Sequence, residues 1–405
     1  MITDDINFWN FIKEYENADV AELMLQFGGM DHKNQNQAFC FNVKDAVQQI
    51  ECRRKTRYKL NSFLRHPQFY FPTALAAEQA SDERVAAYHA SLIGKGKKVV
   101  DMTAGLGIDA MTIALAGNDM TAIELEQPKC EALEHNSKIL GISGFNVVNA
   151  DSTEYMKGKY GDFDCIFIDP ARRDKSQHRT YFFKDCLPDV TGFYSNVMEA
   201  GKVMYIKASP ILDLNAIIQE LDNVARLYVV SVDHECKEIL VELRPDSTFK
   251  EICVVDISRD GKIESLTIDS GYLGKNDAKY AADNDLKAGD YLYEPSAGIM
   301  KLRSASYLTD KFPRLRQTCV NTWVFLSNTY YPDFPGRKLR ITDIPTKKTI
   351  KRLRGERRCV VTRNYPIGSS QLMSKLELKE GESQFIYGIR FGAKSKPTII
   401  DCEKL

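Results

Sequence analysis

Between residues 97 and 245, short apolar runs rich in β-branched residues alternate with longer stretches whose apolar positions recur every three or four residues. The runs KVVDM (98–102), MTAIEL (120–125), FNVVN (145–149), FDCIFID (163–169) and KVMYIKAS (202–209) predict strands. Helical pattern between successive strands predicts a parallel, doubly wound α/β sheet. The rhythm then changes. RLYVVSV (226–232) and EILVEL (238–243) are separated only by DHECK, which is too short for a crossover helix and therefore predicts an antiparallel pair. Before this region the pattern is helical, with Val20, Leu23, Met24 and Phe27, then Val43, Val47 and Ile50, at helical spacing. After it the strands shorten and Gly and Pro multiply. EICVVDI and GKIESLTI, joined through Arg259-Asp260-Gly261, predict a hairpin.

Composition is that of an ordinary globular chain of several domains: 405 residues, 43% hydrophobic and 27% charged. Lys+Arg and Asp+Glu both total 55, so the overall balance points to no particular partner. Ten cysteines lie scattered without a CxxC pair, the pattern of reduced thiols and not of a zinc site or disulfide framework. The acidic start MITDDINF is unlike a secretory signal, and no apolar run reaches the roughly 18 residues of a membrane span. A cytoplasmic protein with no metal and no membrane partner is expected. ECRRKTRYKL (51–60) carries five basic residues against one acid and reads as a solvated helix face or an anion-binding one.

The sharpest local signal is VVDMTAGLGIDAMTIALA, starting at Val99. A buried strand delivers Asp101, a tight turn follows through Thr103, Gly105 and Gly107, and a helix begins near Ile108. Glycines let the backbone approach a ligand, and a helix N-terminus offers unpaired N–H groups. Gly105–Ala110 satisfies the dinucleotide fingerprint GxGxxA, which is weak evidence alone. S-adenosylmethionine fits better. Asp101 can take an ammonium but would repel a pyrophosphate, and Asp109 in the first helical turn adds to that repulsion. Glu124, ending the second strand 23 residues on, can accept both ribose hydroxyls. Asp151, after the third strand, can take the adenine amine.

These residues resemble a class I S-adenosylmethionine-dependent methyltransferase. With the flanks LAAEQASDERVAAYHASLI, DPARRDKS, IKASPILDL and RNYPIGSSQLMSKLELKEGES, the chain is similar to a bacterial family of methyltransferases carrying a C-terminal THUMP-like domain. The resemblance implies an α/β, Rossmann-like seven-stranded sheet at 73–245, preceded by a helical region at 1–72. A small α+β (ferredoxin-like) domain at 246–331 and a THUMP-like α+β domain at 332–405 would follow. It also implies cofactor contacts at Asp101, Gly105, Gly107, Glu124 and Asp151, to which Thr103 and Asp109 of the same turn and Gln79, before strand one, are added.

Amino-methylating members of that class carry Asp/Asn-Pro-Pro-aromatic after strand four, where the acid and a peptide carbonyl accept hydrogen bonds from the target amine. Here Asp169-Pro170 keeps the first half, while Ala171-Arg172 replaces the second and removes the stacking ring. Arg172 or Arg173 can stack on a base or hold a phosphate. Pyrimidine C5 methylation would need a cysteine nucleophile near this motif. Cys165 lies inside the strand and Cys186 falls 16 residues after Pro170, so transfer to nitrogen, or conceivably oxygen, is favoured. Lys207 and Ser209 end strand five at the same mouth.

Within 337–363 eleven basic residues face two acids, the charge asymmetry expected of phosphate contacts. Tyr330, Tyr331, Phe334 and Tyr365 lie near it as candidate stacking rings. THUMP domains bind RNA in other enzymes, so the resemblance points the same way. The expected activity is methyl transfer to a nucleobase nitrogen of tRNA or rRNA. A small-molecule or protein methyltransferase, an RNA-binding protein with a vestigial pocket, and, least favoured, a dehydrogenase remain open.

Overall fold

The computed structural model describes residues 2, 5–27, 41–172, 182–346 and 348–405. The chain divides into two compact units, 1–232 with 237–249 and 257–263, and 233–236 with 250–256 and 264–405.

In the first unit, helices α1 (Ile6–Glu14), α2 (Val20–Phe27) and α3 (Val43–Thr56) bury Phe8, Trp9, Phe11, Leu23, Val47 and Ile50 in one cluster. Their apolar stripes follow the expected spacing, although Met24 stays exposed. Helices α4 (Ala74–Gln79) and α5 (Glu83–Ile93) lead into β1 (Lys98–Asp101). Then come α6 (Ile108–Leu115), β2 (Asp119–Glu124), α7 (Gln127–Ile139), β3 (Phe145–Asn149), α8 (Ser152–Met156), β4 (Cys165–Ile168) and β5 (Val203–Ala208). Strands β6 (Val224–Val232) and β7 (Glu235–Leu243) close the series, joined by Asp233 and His234, both at positive φ as a two-residue hairpin turn requires.

Seven strands of its sheet run in the order β3-β2-β1-β4-β5-β7-β6. Strands β1–β5 are parallel, as the alternation predicts, and β7 is antiparallel to β5; β6 and β7, joined through the short DHECK segment, are neighbours as expected. All four residues of β4 are buried, as a central parallel strand needs. Register sets the strand ends level: Asp101 lies opposite Ala122 and Phe167, and Glu124 opposite Asn149. The carboxyl ends of the parallel strands therefore share one rim.

The expected hairpin is present as neighbouring strands β8 (Glu251–Ile257) and β9 (Ile263–Asp269). The second unit is α+β around a seven-stranded sheet. Its strands are β10 (Tyr291–Pro295), β11 (Arg316–Cys319), β12 (Thr322–Ser327), β13 (Gly336–Asp343), β14 (Arg357–Arg363), β15 (Lys379–Phe391) and β16 (Lys396–Lys404), in the order β11-β12-β10-β13-β16-β15-β14. Strands on both sides of residue 332 share this sheet. Only β14 and β15 run parallel. Leu292, Val324, Leu339, Tyr387 and Ile400 are among its core residues.

Candidate functional site

The turn after β1 is pinned from three directions. Ala104 N–H donates to the Ile123 carbonyl at 3.0 Å, Gly105 N–H to Oε2 of Glu124 at 2.9 Å, and Thr103 N–H to Oδ1 of Asp101 at 2.9 Å. Glu124 also accepts from Glu126 N–H through Oε1 at 2.9 Å. Gly105 sits at φ +58 with nothing nearer a would-be Cβ than the Thr103 carbonyl at 3.9 Å, so a ligand can approach its backbone. Gly107 has another reason to be glycine. At φ +83 it caps α6, and a Cβ there would fall 2.2 Å from Cδ2 of the fully buried Leu133.

Asp101 is 3% exposed, and burial pushes its carboxyl up to about 8. Asp151 is exposed and caps α8, accepting from Thr153 N–H, Thr153 Oγ1 and Glu154 N–H at 2.8, 2.6 and 3.2 Å. The Thr153 hydroxyl is the first cause holding it below the usual carboxylate range. Gln79 ends α4 on the surface.

Asp169 stands immediately after β4 with its side chain 49% exposed. Its N–H donates to Oγ1 of Thr103 at 2.7 Å, which ties the Asp-Pro motif to the glycine turn. Its Oδ2 lies 2.7 Å from the ammonium of Lys207. Ala171 and Arg172 pair with Leu187 and Cys186 in a short antiparallel ladder. The Arg172 side chain, Arg173 and Asp174 lie outside the described residues.

Behind this rim is a buried charge cluster that patterning alone did not assemble. Asp109 is engaged by Nδ1 of His89 at 2.8 Å, by the ammonium of Lys207 at 3.2 Å and by the hydroxyl of Ser81. Nε2 of His89 meets Oε1 of Glu238 at 2.6 Å, and Lys207 donates to Ser81 Oγ at 2.7 Å. Both His89 nitrogens face carboxylates, an arrangement that only an imidazolium satisfies as donor on both sides. Burial opposes that charge, but Glu238 and Asp109 more than offset it and raise His89 to about 9. Lys207 is likewise buried yet held well above its ordinary value by Asp109, Asp169 and Glu238. Asp109 is buried too, and Lys207 and His89 hold it below the usual range. Two buried cations, His89 and Lys207, thus meet two buried carboxylates, Asp109 and Glu238, and Lys207 also reaches Asp169 at the rim.

The nine described cysteines are thiols, seven of them buried. Cys165 is buried in β4, where desolvation pushes its thiol up to about 12 and removes it as a nucleophile. Among the described residues no Cys/His/Asp/Glu group could hold a metal ion, and no helix is long and apolar enough to cross a membrane.

The side chains of the two basic segments are more engaged within the protein than their composition suggests. In ECRRKTRYKL, Arg53 donates to the Pro67 and Phe69 carbonyls, Arg54 to that of Ala18, and Lys55 pairs with Glu51. Of the eleven basic residues at 337–363, Arg337 and Arg363 share buried Glu294, Arg358 pairs with Asp401 and Glu356, Arg352 with Asp343, and Arg354 with Glu377. Lys347 lies outside the described residues. Phe334 is a correction: at 2% exposure, packed on Tyr293 and Phe312, it has no free face for a base. Tyr330 remains exposed.

No family model matches the chain. An uncharacterized RNA methyltransferase of Mycoplasma mobile is 28% identical over 81 residues, 20% of this chain and 22% of that protein. The chain thus spans about a fifth of that relative's length. The crystal structure of a provisionally assigned methyltransferase from Porphyromonas gingivalis W83 superposes over 100% of both chains with a TM-score of 0.82 at 23% identity. A modification subunit assigned to a type I restriction enzyme of Vibrio vulnificus YJ016 reaches a TM-score of only 0.36 at 10% identity, over 60% of this chain and 63% of its own. On strand order, glycine turn and the full-length superposition, this chain has the fold of the class I S-adenosylmethionine-dependent methyltransferases.

Proposed function

We propose that the chain is an S-adenosylmethionine-dependent methyltransferase that methylates a nitrogen of a base in tRNA or rRNA. The observation that carries this reading is the rim itself: Asp101, Glu124 and Asp151 close β1, β2 and the β3 connection around the left-handed turn at Gly105. The residues present fit the cofactor. Asp101, once ionised, suits a cationic ligand, the open face of Gly105 admits one, and Glu124 suits a diol.

Asp101, Thr103, Gly105, Gly107, Glu124, Asp151 and Gln79 are assigned to the cofactor, with Asp109 supporting the turn from within the charge cluster. When bound, the cofactor supplies an electrophilic methyl group on a sulfonium. Asp169 and the Pro170 carbonyl accept hydrogen bonds from the acceptor amine, keep its lone pair free and orient it; Asp169 can take the proton that nitrogen later sheds. Arg172 is assigned to the acceptor's base or phosphate. Orientation of this kind supplies much of what such a transfer needs. Cys165, buried in β4 with its thiol pushed up to about 12, is no nucleophile for pyrimidine C5, which favours nitrogen. RNA is supported by the basic stretch at 337–363 and by the Mycoplasma relative being named as an RNA methyltransferase.

The internal pairing of that basic stretch favours a second reading, a protein or small-molecule acceptor. Incubation with radiolabelled S-adenosylmethionine and either total RNA or total protein from cells lacking the chain separates the two. Label in RNA, lost in Asp169→Ala, is expected. Label in protein only, or an Asp169→Ala variant as active as the parent, would overturn the first reading.

A further inference from the structure

We infer that Lys207 is the positioning residue for Asp169, holding its Oδ2 so that Oδ1 is the oxygen presented to the acceptor. This rests on the methyl-transfer reading and extends it to a residue outside both the glycine turn and the Asp-Pro motif.

An ammonium has three donors. Those of Lys207 are met by Ser81 Oγ at 2.7 Å, Asp169 Oδ2 at 2.7 Å and Asp109 Oδ2 at 3.2 Å, with Glu238 Oε2 at 3.8 Å adding attraction only. The direction of the Lys207 N–H toward Asp169 is therefore fixed by its other two bonds. Those partners are fixed in turn: the Ser81 hydroxyl donates to Asp109, and His89 bridges Asp109 to Glu238 from behind. The frame draws on the segment before α5, α5 itself, α6, β5 and β7, and its charged members are all buried. Asp169 is the one carboxylate of the set at the open rim, with its side chain 49% exposed against 7% for Lys207. Removed from the ammonium, an exposed carboxylate at a strand end would turn about its own side-chain bonds. A misplacement of about 1 Å at a reacting centre can cost about a hundredfold in rate.

The test uses the full chain, radiolabelled S-adenosylmethionine and total RNA from cells lacking it, with calorimetry of S-adenosylhomocysteine binding alongside. Lys207→Met should bind S-adenosylhomocysteine within about threefold of the parent and keep its KM for the cofactor, while kcat falls about a hundredfold. Lys207→Ala should recover at least about tenfold with ethylammonium and not with ethanol, a difference that a purely structural role would not produce. Should Lys207→Met misfold, Lys207→Met/Asp109→Asn keeps the cluster's net charge and should show the same loss of kcat. Folded variants that transfer at the parent rate, that lose binding and turnover together, or that ethanol restores as well as ethylammonium would overturn the assignment. A parent that labels neither RNA nor protein would instead fail the methyl-transfer reading, and this inference with it.

Discussion

Nε2 of His89 lies 2.6 Å from Oε1 of Glu238, a residue 149 positions further along the chain, and Nδ1 lies 2.8 Å from Oδ1 of Asp109. The imidazolium is therefore part of what holds α5, α6 and β7 together, and its protonation is linked to folding. Its native pKa of about 9 exceeds the ordinary 6.5. The stabilisation is fully present below pH 6.5 and is lost as pH rises through about 9. That difference corresponds to on the order of 3 kcal/mol. Asp101, raised to about 8 from 3.8, changes stability in the same direction over its own range, from pH 4 to 8. Urea unfolding at pH 6, 7.5 and 9 should show the parent weakening steadily. His89→Gln should start weaker at pH 6 and lose less thereafter. A variant as steep as the parent would place the linkage elsewhere.

The glycine turn separates two kinds of glycine. Gly107→Ala places a methyl group against Leu133 inside a packed core and forces alanine to φ +83. A loss of about 2–4 kcal/mol in chemical unfolding is expected. Leu133→Ala in the same chain should relieve the steric part but not the backbone part, so the two substitutions should be non-additive. Gly105→Ala meets open space and carries only the cost of its φ, about 1 kcal/mol. Its larger effect should fall on S-adenosylhomocysteine affinity, measured by calorimetry.

The strands of the first sheet were legible because each is a short apolar run between helical stretches, and β3 keeps its predicted bounds at Phe145 and Asn149. The rim acids were legible because each ends such a run. The cluster behind them was not. Ser81, His89 and Glu238 are single polar residues in amphipathic or apolar segments, and only the folded sheet brings them together. A signal did exist: Lys207 interrupts the apolar run VMYIKA, and a lysine inside a buried strand needs partners. The charge at 337–363 misled in the opposite sense. A count along that segment cannot see Glu294 and Asp401, which lie on strands remote in sequence and neutralise Arg337, Arg363 and Arg358.

Burial of Asp101 gives the proposed cofactor site a pH signature. With its carboxyl pushed up to about 8, Asp101 must lose a proton to face a cation, so binding below that pH carries a proton cost. The Kd for S-adenosylmethionine should fall up to about tenfold per unit between pH 6 and 7.5. Asp101→Asn should bind more weakly and without that slope. Glu124→Gln should weaken binding by about 10- to 100-fold at every pH in this range, as expected for loss of charge-assisted hydrogen bonds. A pH-independent Kd in the parent would remove Asp101 from the ligand's side of the turn.

The pairing pattern of the second unit predicts which arginines touch a polyanion and which hold the fold. Arg340, Lys348 and Lys351 are exposed, and neither the ion pairs nor the side-chain hydrogen bonds described above involve them. If RNA lies along this segment, these side chains displace its counterions. Replacing all three by Gln should reduce the slope of log K against log salt by about 2, at roughly 0.7 per phosphate contact on a single strand, while leaving unfolding unchanged within about 0.5 kcal/mol. Arg337 and Arg363 should behave in the opposite way. Both converge on Glu294, which is 5% exposed and also bonded to the Tyr387 hydroxyl at 2.6 Å. Removing either arginine leaves a buried carboxylate short of a cation, a deficit that typically costs a few kcal/mol. Arg337→Gln should therefore lower the unfolding midpoint with little change in salt slope. Filter binding to total tRNA across a salt series, run beside chemical unfolding, distinguishes the two classes; a shared loss of slope would mean that Arg337 also contacts phosphate.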